Sequence, residues 1–151
     1  MNKFMQMAID EAKIGVIAGD GGPLGDVIVK DCVVIGKGHN NVIRLQDPTC
    51  HGEIMAIHEA CEKLGTFDLS GCEIYTTGEP CPMCLGAILW ANIGKIYYGC
   101  NIDDTEKIGF RVSDFYQIYI GDKPGFMHEM VRDSCHKLYD HYAGIKDKQS
   151  Y

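Results

Sequence analysis

The sequence predicts an α/β fold of three layers, with helices on both faces of a central mixed sheet of about five strands. Three observations predict it. Short Val- and Ile-rich runs alternate with amphipathic runs of helical length. The strand–helix–strand–helix–strand order through the middle implies parallel pairing with helices packed on both faces. Two Pro-marked helix starts carry the chain's His, Glu and Cys chemistry, and this fold places them at the carboxyl ends of strands, where open α/β sheets hold ligands.

An amphipathic helix is expected from about Asn2 to Ala18, followed by the turn Gly19-Asp20-Gly21-Gly22-Pro23-Leu24-Gly25. That turn precedes a strand and lacks a Gly-Lys-Ser/Thr ending. It therefore reads as a place of close backbone approach rather than a phosphate loop. Asp26 to Lys30 and Val33 to Gly38 form a hairpin of two strands. Asp47-Pro48-Thr49 opens a helix in which Ile54, Ile57, His58, Cys61 and Leu64 recur at helical spacing until Gly65. Glu73 to Thr76 is a short strand. Pro80 and Pro82 suit the entry of a second helix running to about Ala91, with Leu85, Ile88 and Leu89 on its buried side. Lys95 to Gly99 is another strand. Beyond Cys100 the pattern is weaker: a short helix over Asp103–Ile108, a final strand or helix extension over Phe126–Val131, and a helix over Asp133–Tyr142.

Length and composition narrow the function classes. The chain has 151 residues, enough for one domain spanning 1–151. Hydrophobic content of 46% and charged content of 23% are those of a soluble globular protein. No run of about 20 apolar residues is present, so no membrane partner is expected. The first residues lack a signal-peptide core. With that N-terminus, eight Cys point to a reducing, cytoplasmic setting. Cys32, Cys50, Cys61, Cys72, Cys100 and Cys135 are expected to be small buried hydrophobes rather than disulfide partners. The net charge is −7, and no Lys/Arg cluster stands out. Phosphate contacts supply much of the affinity of nucleic-acid proteins, so the balance favours a small uncharged substrate over a nucleic acid.

His51-Gly52-Glu53 and Pro80-Cys81-Pro82-Met83-Cys84 decide the chemistry. His51, Cys81 and Cys84 offer a borderline-to-soft ligand set suited to Zn2+, one short of a closed tetrahedron, so water can take the fourth position. Glu53, two residues from the His, is spare for proton transfer. A structural zinc would need a fourth protein ligand. His58 is two turns beyond His51, roughly 10 Å away, too far to share one ion. A redox C-x-x-C would leave His51 and Glu53 unexplained. Two helix N-termini aimed at the metal would favour thiolate and hydroxide.

This His-x-Glu…Pro-Cys-x-x-Cys pattern is the signature of zinc-dependent nucleobase deaminases. The chain resembles the cytidine deaminase superfamily and, within it, the bacterial guanine deaminases. The resemblance covers most of the chain. It includes Gly21-Gly22-Pro23-Leu24-Gly25, His39-Asn40-Asn41-Val42, Asp47-Pro48-Thr49 and Glu79 through Ile88. Those segments are partly shared with tRNA adenosine deaminases; Trp90, Asp114 and Tyr151 look more like guanine deaminase positions. The resemblance implies zinc on His51, Cys81 and Cys84, and a proton shuttle at Glu53. It implies that Asn41 hydrogen-bonds a purine base, that His51 and Trp90 sandwich the ring, and that the Glu79 carbonyl accepts from the departing amine. It also implies that Asp114 reads the donor edge of guanine and that Tyr151 closes the pocket. A homodimer that exchanges its C-terminal segment is implied too. Gly52, Leu24 and Asp26 stand where relatives usually carry Ala, Phe and Ala, and Asp26 is expected to bring a carboxylate near the pocket wall. Deamination of another aminated base, or a non-catalytic zinc protein, are the competing readings.

Overall fold

The computed structural model describes residues 2–120 and, singly, 130, 132 and 143. It begins with α1 (Lys3–Ala18), whose first amides are capped by the Asn2 side chain, which accepts from Phe4 N at 2.8 Å. Gly19, at φ 75°, ends the helix in the left-handed conformation that favours glycine. The elements β1 (Gly25–Lys30) and β2 (Val33–His39) form the expected antiparallel hairpin. Its two-residue turn has Asp31 and Cys32 both at positive φ, the geometry that matches the twist of paired strands.

Next come α2 (Val42–Leu45), α3 (Gly52–Leu64), β3 (Cys72–Gly78), α4 (Pro82–Trp90), β4 (Lys95–Cys100), α5 (Ile102–Lys107) and α6 (Val112–Ile120). The sheet order is β2-β1-β3-β4. β1 pairs with β3 antiparallel, and β3 with β4 parallel. The sheet is thus mixed, with four strands among the described residues. β2 and β3, on either side of α3, run in the same direction without touching, because β1 lies between them. The expected element over 126–131 falls almost wholly outside the described residues, as do the helix over 133–142, Cys135 and Tyr151. No helix among the described residues is long and apolar enough to cross a membrane.

The strand period of two sorts the core into two faces. Val27, Val29 and Tyr75 face α1, where they pack with Phe4 and Ala8. Ile28 and Ile74 face the other way, against Ala56 and Ala60 of α3 and Ile88 of α4. Helices therefore cover both faces, as expected.

The buried stripe of α3 differs from the one its large residues suggested. Gly52, Glu53, Ala56 and Ala60 are innermost, whereas His58 is exposed and Leu64 half-exposed. Gly36 and Gly38 of β2 explain the shift. A Cβ on either would overlap α3 backbone or its Ala side chains, so the helix lies directly on the strand and only small residues fit beneath it. Ile57 and Cys61 pack at the flank. On α4, likewise, Ile88 is buried but Leu89 is exposed. The cysteines also divide differently. Cys72 is in the core, but Cys32 lies in the hairpin turn and Cys100 ends β4, and both are exposed.

Candidate metal centre and active site

Two loop-to-helix junctions at the ends of β2 and β3 build the site. His51 is the N-cap of α3 and Cys81 the N-cap of α4. Both have extended backbone and neither caps its helix with its side chain, so their ligand atoms are released toward each other. Pro82 at the first helical position needs no amide partner there and places Cys84 one turn along. Cys81 Sγ is 3.7 Å and Cys84 Sγ 3.5 Å from His51 Nδ1. All three ligand atoms lie within 4.8 Å of one another. A tetrahedral zinc with ordinary Zn–S and Zn–N bonds sets S···N at ~3.6 Å. The residues therefore fit zinc as they stand.

The thiols are already polarised. A hydrogen bond from Cys84, helped by one from His51, holds Cys81 down to about 4, against the opposing effect of burial. Cys84 moves the other way, first because it is the donor to Cys81 and then through burial. The interaction with Cys81 raises His51.

Glu53 sits in the first turn of α3 and is only 5% exposed. Burial, partly opposed by its own backbone amide, raises its pKa above the usual carboxylate range. A carboxyl shifted in that direction holds a proton more readily than an exposed one. No fourth His, Cys, Asp or Glu joins the ligand cluster among the described residues.

Neighbouring elements hold the junctions in place. The Glu79 carboxylate accepts from Ile102 N at 3.2 Å and so ties the α4 loop to the start of α5. Its amide donates to Cys100 O, and no described group donates to its carbonyl. The Tyr116 hydroxyl of α6 donates to Pro80 O at 2.6 Å, a contact the sequence did not single out. Burial, then the nearby Glu79 charge, raises that phenol.

The Asn pair separates in the structure. Asn41 Nδ2 donates to His39 O at 2.9 Å, and Asn41 Oδ1 accepts from Arg44 Nε at 2.7 Å. Arg44 also faces Asp20 at 3.7 Å. The His39 ring lies between Asp20 at 2.9 Å and Glu11 at 3.0 Å. Both ends of the Asn41 amide are thereby committed to a structural network. Asn40 differs: its Oδ1 accepts from Val42 N at 3.2 Å, and its Nδ2 has no hydrogen-bond partner among the described residues. Its amide donates to Leu24 O, which also lies against Gly52. Asn40 is thus next to the metal helix and has a donor to offer. The Gly-rich turn makes the expected close approach here, since a Cβ on Gly21 would overlap Asn40.

Two of the remaining expected substrate residues, Asp114 and Trp90, lie at the surface among the described residues. Asp114, in the first turn of α6, is exposed, with no described hydrogen bond or ion pair to the site. Trp90, the last residue of α4, is 67% exposed. Asp26 is not a wall residue: it is fully buried against Gly52.

A mixed sheet with a His/Cys/Cys site at two helix starts defines a zinc-dependent deaminase fold. Residues 1–100 match the cytidine and deoxycytidylate deaminase zinc-binding region, and the chain belongs to that family. It is 47% identical to guanine deaminase of Bacillus subtilis (strain 168) over 121 residues, which are 80% of this chain and 76% of the relative. The crystal structure of guanine deaminase from Bacillus subtilis superposes with a TM-score of 0.92 at 38% identity, covering 100% of this chain and 99% of that one. The chain is also 45% identical to a tRNA-specific adenosine deaminase of Aquifex aeolicus (strain VF5) over 127 residues, 84% of this chain and 80% of the relative. The chain is a zinc-dependent hydrolytic deaminase.

Proposed function

We propose that the protein hydrolyses guanine to xanthine and ammonia, as a homodimer in a reducing, cytoplasmic compartment. The carrying observation is the preformed His51/Cys81/Cys84 cluster at zinc spacing with Glu53 buried beside it. The likeness to guanine deaminase along the whole chain supports guanine among aminated bases. A net charge of −7 supports a small neutral base over tRNA.

Bound zinc would lower the pKa of a water molecule toward neutrality and so supply hydroxide. Glu53 takes the proton of that water and delivers it to a ring nitrogen, which makes the amine-bearing carbon more electrophilic. The water oxygen adds to that carbon; Glu53 then takes the remaining proton from the added hydroxyl and gives it to the amine, whose bond to carbon breaks to release ammonia as the new carbonyl of xanthine forms. The Glu79 carbonyl receives the amine N–H groups. The free donor of Asn40 binds an acceptor of the purine, while Asn41 holds the turn that presents it. Asp114 and Trp90 are exposed, which suits side chains that finish the pocket of a second copy. There Asp114 would accept from the N–H donors of guanine, and Trp90 and Tyr151 would cover the ring. A site built around such bonds rejects bases that leave its acceptor unpaired.

Ammonia release measured across guanine, adenine, cytosine and a tRNA substrate tests the assignment. Guanine is expected to be turned over fastest. Turnover confined to tRNA would replace the guanine reading with the nucleic-acid one.

A further inference from the structure

Asp26 is the one described residue whose buried side-chain oxygens have no hydrogen-bond partner. It lies in β1, paired with Gly38 on one side and Thr76 on the other, and has no exposed surface. The alternation that turns Ile28 toward α3 turns Asp26 the same way. The hydroxyl of its strand partner Thr76 donates to Gly78 O at 2.8 Å. Burial, then the charge of Glu53, raises the Asp26 pKa well above the carboxylate range, with Thr76 weakly opposing. Apolar side chains generally fill such a position at no loss of stability, so packing alone is a poor reason for an acid here.

Gly52 explains how the acid fits. A Cβ on residue 52 would fall under 3.0 Å from Asp26 Oδ2, so the carboxyl occupies the space that Gly52 leaves open. Gly52 lies between the ligand His51 and the proton carrier Glu53, at the first position of α3. Glycine holds a helical turn poorly. The Asp26 carboxyl sits against this turn from the sheet side.

We propose that Asp26 is a positioning residue for the deaminase centre, its carboxyl bracing the Gly52 turn so that Glu53 is held toward the metal ligands. The proposal rests on Glu53 carrying the proton in deamination.

Asp26→Val and Asp26→Asn, compared with wild type, test it. Zinc content, Tm, KM and kcat per bound zinc are measured on whichever base wild type turns over fastest. Val fills the space without polar atoms, whereas Asn keeps shape and polarity. Asp26→Val is expected to retain zinc, a Tm no lower than wild type and a KM within about threefold, yet to lose about tenfold in kcat, as misplacement of a reacting group does. Asp26→Asn is expected to recover most of that loss. Gly52→Ala, whose methyl displaces the carboxyl, gives an independent reading with the same expected kcat loss if Asp26→Val does not fold. Wild-type kcat per zinc in folded Asp26→Val or Gly52→Ala overturns the proposal. So does a fall in Tm and zinc content with kcat per bound zinc unchanged, which would reduce Asp26 to packing. If guanine is not the base turned over, the substrate assignment fails while the Asp26 comparison remains readable on the other base.

Discussion

Replacing Glu53 by Gln removes the carboxylate proposed above to carry the proton, while keeping its shape and leaving the ligands intact. Loss of a general acid/base costs about 100- to 10,000-fold in rate. At 1.36 kcal/mol per tenfold, that is about 2.7 to 5.4 kcal/mol of barrier. The structure places the loss near the upper end. Glu53 is 5% exposed, so bulk water substitutes for it poorly. The adjacent acid, Asp26, is sealed beneath Gly52 and cannot take over. In the proposed mechanism the same group also serves several proton steps. His51, Cys81 and Cys84 all remain in Glu53→Gln, so zinc is expected to stay at about one per chain. Ammonia release gives kcat, elemental analysis gives zinc, and calorimetry shows that the base still binds. A zinc-loaded Glu53→Gln enzyme within tenfold of wild-type kcat would refute the reasoning.

Three further outcomes are expected. Cys81→Ala and Cys84→Ala should each lose zinc, because two remaining ligands hold the ion weakly; elemental analysis showing full retention in both would contradict the ligand assignment. Asn40→Ala should raise KM for guanine at least tenfold, whereas Asn41→Ala, which breaks bonds to Arg44 and His39 O, should act mainly through Tm; the reverse ranking would return the substrate contact to Asn41. Asp26→Asn should change the pH dependence of stability. Burial and then Glu53 raise the Asp26 pKa in the folded chain, so its contribution is full below the ordinary carboxylate value of about 4 and is lost as pH rises through the folded value. The Tm of Asp26→Asn should therefore gain on wild type as pH rises above about 4, and a constant difference would show that Asp26 does not hold its proton more tightly in the folded chain.

The metal centre was legible because ligand spacing is local. His-x-Glu and Cys-x-x-Cys each sit at one helix start, where Pro and Gly mark the boundary. The hairpin and the α1, α3 and α4 ranges followed from periodicity for the same reason. What could not be read depended on contacts between distant segments. The inner face of α3 is set by Gly36 and Gly38 of β2, so Ala56 and Ala60 are buried there and large apolar residues fall at the flank. The two adjacent Asn residues were indistinguishable until Arg44 and His39 O were seen to claim Asn41. Tyr116 reaches Pro80 across 36 residues, from a helix with no strong start signal. Gly52 and Asp26 looked like two unrelated departures; the fold makes them one fitted pair.

The most direct test of the central claim is a guanine reaction in water enriched in heavy oxygen, with the product analysed by mass spectrometry. Hydrolytic deamination by the zinc-loaded protein predicts one ammonia released per xanthine formed, and one heavy oxygen atom in each xanthine. Guanine recovered unchanged, or xanthine formed without the label, would contradict it.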